Sequence, residues 1–224
     1  DRVARTFALI LVCVVIVFAA EAIGSASAEN WQIELGLRLQ WVGIIILPAT
    51  YFHFSDALLA TTGKPSRGRR LMAARLIYAA AFIFLITLMT GDLLGPLISF
   101  QPPAPRLQPT PLTAVFVFFY LGVMILSWIN FRRAYLRTTT PTSQRRMLYL
   151  VFSAAAPALG CFPYLLYGAS FAGGHTLTFW LIAVVSNIIV GGLIVVMSYG
   201  VAFFGVTWPD RVVKSRLMKW IMRG

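Results

Sequence analysis

The stretch Pro48–Leu59, PATYFHFSDALL, sets a histidine and an aspartate three residues apart behind the apolar run WVGIIIL. On a helix this spacing puts both on one face, so Asp56 can orient the His53 imidazole and favour its charged form. An ionisable residue inside lipid is costly and raises a functional question by default. The pair can serve as a proton relay or a pH-sensing switch. Its alternative is a hydrogen-bonded pair facing the bundle, with a packing and hinge role. Pro48 removes a backbone donor from the same segment and is expected to bend it.

Glu34 and Arg38 are four apart, with the carboxylate first, the favourable order for an ion pair on a helix. With Gln40 they either line an outer cavity or form an interfacial pair. The two histidines, His53 and His175, fall roughly 20–30 Å apart in depth from the helical rise, too far to share a haem or a metal. Lys64, Lys214 and Lys219 all lie in connections, so no lysine inside a helix can hold retinal as a Schiff base. Cys13 and Cys161 resemble buried small hydrophobes and differ in depth by roughly 10 Å, too far for a disulfide. Phosphate-binding loops, zinc-protease, nucleophile-elbow and kinase signatures are all missing, which argues against an enzyme. No cofactor is expected, although contact with a lipid, quinone or pigment is compatible with the apolar helices.

The elements that position these residues follow from composition. Hydrophobic residues make up 59% of the 224, charged ones 12%, and the mean hydropathy is +0.80. A soluble domain carries about 25% charged residues, so this composition predicts an all-α integral membrane protein. Six segments reach the roughly 20 residues that a crossing needs: Thr6–Ser25, Leu35–Thr61, Leu71–Leu94, Leu112–Phe131, Met147–Tyr167 and Leu177–Val206. The second ends in TTGKP, where Gly63 can take the left-handed cap and Pro65 blocks continuation. Ala20, Gly24 and Ala28 form a stripe of small residues that predicts close packing of the first helix. Asn130, Ser186, Asn187 and Ser198 are expected to bond between helices.

All of the 19 basic residues except Arg38 and Arg106 fall before the first span, in alternate connections or, for Arg75, just inside the span that follows one, or after the last span. By the positive-inside rule both ends are cytoplasmic, and the net charge of +12 is a topology signal, not a nucleic-acid footprint. Trp31 and Trp180 are placed at the outer interface, Trp128 and Trp208 at the inner one. The loop GPLISFQPPAPRLQPTPL, with six prolines, is expected to be extended and polyproline-like. Residues 1–208 then form the bundle. Pro209 interrupts the last helix, and 209–224 form either a basic amphipathic segment on the membrane or a connector.

The second span, LRLQWVGIIILPATYFHFSDALLATTG, and the closing VAFFGVTWPDRVVKSRLMKWIMRG resemble the N-terminal seven-transmembrane input domain of bacterial histidine kinases and related signalling proteins. The start, DRVARTFALILV, resembles the second helix of that family. The resemblance therefore implies six helices of seven, one preceding Asp1, and a sensory module of the bacterial inner membrane. Asp210, Arg211 and Lys214 would couple the bundle to a cytoplasmic output domain. Expected partners are membrane lipids and either another protein or a second copy of the chain. The competing class is an accessory subunit of a larger bioenergetic complex, binding lipid or pigment. A small transporter or channel is weaker, since the sequence carries no repeats, midplane acidic site or obvious broken helix.

Overall fold

The structure is a computed structural model and describes residues 2–63, 68–98, 105–164 and 173–202. The chain is mostly helical: α1 Arg2–Ala26, α2 Asn30–Thr61, α3 Arg69–Thr90, α4 Pro111–Arg137, α5 Pro141–Ser153, α6 Ala155–Gly160 and α7 Thr176–Ala202. Two short strands, β1 Leu94–Ile98 and β2 Arg106–Pro109, stand between α3 and α4. Among the described residues, α1, α2, α3, α4 and α7 are long and apolar enough to cross a membrane. Their outward faces carry large apolar side chains such as Val15, Phe82, Phe118 and Ile188, each at least 60% exposed. Water disfavours such faces and lipid accepts them.

α2 is the axis of the bundle. From Trp41 to Leu59 it is buried on nearly every side, as a helix enclosed by others must be, and it packs against α1, α3, α4 and α6. Its closest neighbour is α1, and glycines set that approach. A Cβ on Gly36 would lie 3.1 Å from the Gly24 Cα, and one on Gly43 only 2.8 Å from the Cys13 carbonyl oxygen. Ala20 and Gly24 of the small-residue stripe thus meet Gly36 on α2, whereas Ala28, the third member expected, lies past the end of α1 and is exposed. The core that results includes Phe54, Phe116 and Phe131, all 0% exposed, joined through edge and tilted ring contacts with Phe7, Tyr51 and Trp41.

Local chemistry accounts for the helix ends. Gly63 lies past the end of α2 at φ 81° and Gly91 ends α3 at φ 85°, both in the left-handed region. Pro111 and Pro141 open α4 and α5, where a missing N–H costs nothing. The Thr110 hydroxyl accepts from the Thr113 N–H at 3.4 Å, and the Thr113 hydroxyl accepts from the Thr110 N–H at 2.9 Å, a reciprocal cap.

Three expectations need correction. The third span ends at Thr90, not Leu94, because Gly91 stops it and Leu94 begins a strand. The proline-rich loop is not polyproline along its length. Its flanks pair as an antiparallel hairpin, with Leu97 opposite Leu107 and Ile98 opposite Arg106, and the buried Leu94 and Leu107 close one end of the core. The fifth span is not one helix. It divides at Ala154 into α5 and α6, and Pro157 lacks the N–H that the Ser153 carbonyl would otherwise meet.

α2, by contrast, runs unbroken through Pro48. Lys64, Pro65, Trp208, Pro209, Asp210, Arg211 and Lys214 lie outside the described residues, as does the region beyond Ala202.

Candidate functional site

Asp56 is wholly buried, near the last turn of α2. Its Oδ2 lies 3.2 Å from Nη2 of Arg2, at the start of α1, and its Oδ1 lies 3.2 Å from Nε of Arg70, at the start of α3. Each carboxylate oxygen faces one guanidinium. Burying a lone carboxylate is prohibitive, and the two arginines supply the opposite charge that makes the position tolerable. The arrangement fastens three helix ends to one acid. It also brings the start of α1, the end of α2 and the start of α3 to the same end of the bundle, the geometry that alternating basic connections require.

His53 does not pair with Asp56. Its Nδ1 lies 3.3 Å from the Tyr78 hydroxyl on α3, and the two rings meet edge to face at 5.9 Å. The shared face is real, but each side chain takes a different partner. A guanidinium is permanently charged and donates along a fixed fork, so it outcompetes a neutral imidazole for a buried carboxylate. The same turn is tied sideways: Asn130 on α4 donates to the Ser55 hydroxyl at 3.2 Å.

At the other end of α2, Arg38 Nη2 lies 2.9 Å from Glu34 Oε1, as the spacing predicts, and its Nη1 also reaches the Leu88 carbonyl on α3 at 3.4 Å. This pair does not line the cavity described next. Gln40 does, and its Nε2 donates to Glu21 Oε2 of α1 at 3.4 Å.

The cavity measures about 690 Å³ and lies among the end of α1, the first half of α2, β2, α6 and the first half of α7. Of the residues expected to bond between helices, Ser186 and Asn187 line it, whereas the Ser198 hydroxyl returns to the Ile194 carbonyl of its own helix at 2.8 Å. Cys161 also lines it; Cys161 and Cys13 are both free and buried.

The broken α5–α6 segment forms one wall. A break inside apolar surroundings leaves carbonyls that must find donors. Tyr51 of α2 donates to the Ala154 carbonyl at 2.6 Å, and Tyr120 of α4 donates to the Ala158 carbonyl at 2.8 Å. Sequence reasoning overlooked both tyrosines, and it counted Arg2 and Arg70 only as topology charges. The signal for the arginines was present: the charge count already set them at the depth of Asp56. For the tyrosines nothing local marked them out.

No family model, curated protein or solved structure matches the chain.

Proposed function

We propose that this chain is a non-enzymatic, membrane-embedded input module of a bacterial signalling receptor, in which helix movement passes to a cytoplasmic output domain. The observation that supports this reading is the sharing of the buried Asp56 by Arg2 and Arg70, 3.2 Å from each. A small displacement of any one of the three helices alters the counter-charge of the other two. Packed elements joined in this way change arrangement as a set. α2 extends the connection, since Ile44 on the cavity wall and Asp56 are twelve residues apart on one helix, about 18 Å by the helical rise. In this reading the basic end faces the cytoplasm, and the segment containing Asp210, Arg211 and Lys214 is the connector.

The test is the full-length gene product. The coding sequence beyond Gly224 is expected to continue into a dimerisation or catalytic signalling domain, and Asp56→Asn in that protein is expected to shift its basal output. A stop directly after Gly224, or a folded Asp56→Asn protein with unchanged output, overturns the reading.

A second reading, an accessory subunit of a larger membrane complex, draws on α7. That helix packs against α5 and α6 and leaves Leu177, Val184, Ile188 and Val195 exposed along its length. It predicts co-purification with large subunits in mild detergent, and recovery of the chain by itself or as a homodimer counts against it.

A further inference from the structure

We propose that the cavity among α1, α2, β2, α6 and α7 binds a neutral aromatic or quinoid ring that bears carbonyl or hydroxyl oxygens and an alkyl tail. The proposal concerns the end of the bundle away from Asp56 and stands whether or not the bundle signals.

Size comes first. A volume of about 690 Å³ falls within the roughly 300–1,000 Å³ of small-molecule sites. The wall is also firmly set. A Cβ on Gly160 would lie 2.7 Å from Val190 Cγ1, so only glycine lets α6 approach α7 this closely. The hydroxyls of Tyr51 and Tyr120 hold the same segment from behind. A wall fixed before binding lowers the ordering cost of a ligand.

The lining selects the chemistry. Phe18, Trp41, Phe162, Tyr164 and Phe179 reach the cavity from three helices and the turn after α6. Rings from several directions favour a flat partner, which can stack on one and meet others by the edge. Besides the polar tips of Trp41, Tyr164 and Cys161, the polar groups are few: the amides of Gln40 and Asn187, the Ser186 hydroxyl, the Glu21 carboxylate and the Arg106 guanidinium. The two charged groups have opposite sign, so a ligand with net charge of either sign meets one like charge. Amides and a hydroxyl instead suit oxygens that accept or donate without charge. A fatty acid or an alkyl ammonium ion fits this set poorly. The remaining lining, including Val17, Ile44, Ile189 and Leu193, suits an alkyl tail.

The experiment titrates the purified chain in detergent micelles with a decyl-substituted benzoquinone and follows quenching of tryptophan emission. A saturable component is expected, and it disappears in Trp41→Phe because Trp41 lies in the wall. Ala183→Phe, which fills the cavity, and Asn187→Leu, on an exposed position of α7, are each expected to weaken binding tenfold or more. Decylphenol displaces the probe, whereas dodecanoate and dodecylamine do not. Quenching that never saturates and is identical in every variant marks partition into the micelle and overturns the proposal. Displacement by dodecanoate as effective as that by decylphenol marks a general acyl-chain groove and overturns it equally. The displacement series uses the unaltered chain, so a variant that fails to fold leaves the proposal decidable.

Discussion

The hydroxyl of Tyr51 donates to the carbonyl of Ala154 across 2.6 Å, joining the middle of α2 to the point where α5 gives way to α6. The Tyr51 ring is wholly buried and sits edge to face with Phe131, so its hydroxyl has little freedom to turn elsewhere. Tyr51→Phe keeps the ring and strands the carbonyl. The expected cost is about 1–3 kcal/mol, the penalty for a buried polar group left without its partner. Tyr120→Phe is expected to behave alike at Ala158. Unfolding of both variants in micelles, against the parent, measures the loss, and an unshifted midpoint removes the stapling role.

The Asp56 node predicts an asymmetry. The Arg2 side chain is 45% exposed, whereas those of Arg70 and Asp56 are 16% and 0% exposed. Water can solvate Arg2 when its partner is lost, so Arg2→Gln should cost no more than about 1 kcal/mol. Asp56→Ala should cost about 3 kcal/mol, the lower end for a broken buried pair, since Arg70 keeps some contact with water. Equal losses in the two variants would contradict this geometry.

His53 offers a test by double-mutant cycle. Its contact with Tyr78 predicts a coupling of about 0.5–1.5 kcal/mol between His53→Ala and Tyr78→Phe. The coupling between His53→Ala and Asp56→Asn should be the smaller of the two, since neighbours on one face that share no hydrogen bond keep only a through-space interaction. A larger coupling in the second cycle restores the histidine–aspartate pair that the sequence spacing invites.

Glycine positions separate packing from propensity. Gly43→Ala would press a methyl group to within 2.8 Å of the Cys13 carbonyl, and the expected loss is about 1–3 kcal/mol as α1 is pushed away. Gly122, in the middle of α4, has open space where its Cβ would stand. Gly122→Ala should therefore be neutral or stabilising, by up to about 1 kcal/mol from helix propensity. Thermal unfolding of the pair decides the point, and similar effects at the two positions would show that close packing is not what Gly43 provides.

Much of the fold was legible because it depends on short-range rules. Twenty-residue apolar runs name the long helices, Gly63 after an apolar segment names a helix end, and Glu34 four residues before Arg38 names their ion pair. The stripe through Ala20 and Gly24 named the close face of α1, although its counterpart, Gly36 and Gly43, went unread because the partner face of a helix is not written in its own spacing. Breaks were harder. Pro48 and Pro157 are both prolines in apolar runs, yet α2 continues through the first and the chain breaks three residues before the second. What differs is the surroundings, since Tyr51 and Tyr120 supply donors to the opened segment from other helices.

The sequence by itself determined that this chain folds as long apolar helices, where several of them stop, and which of its ends carry positive charge. All of that follows from hydropathy, helix caps and spacings of a few residues. Tertiary structure alone decided that Asp56 answers to Arg2, 54 residues away, instead of to His53, its neighbour on the same face. It also decided that Tyr51 serves a carbonyl 103 residues distant and that Glu21, Gln40 and Asn187 meet at one cavity. Partner choice among buried polar groups depends on the rotation and depth of helices against one another. Those quantities arise only when the side chains of all the helices compete for the same space.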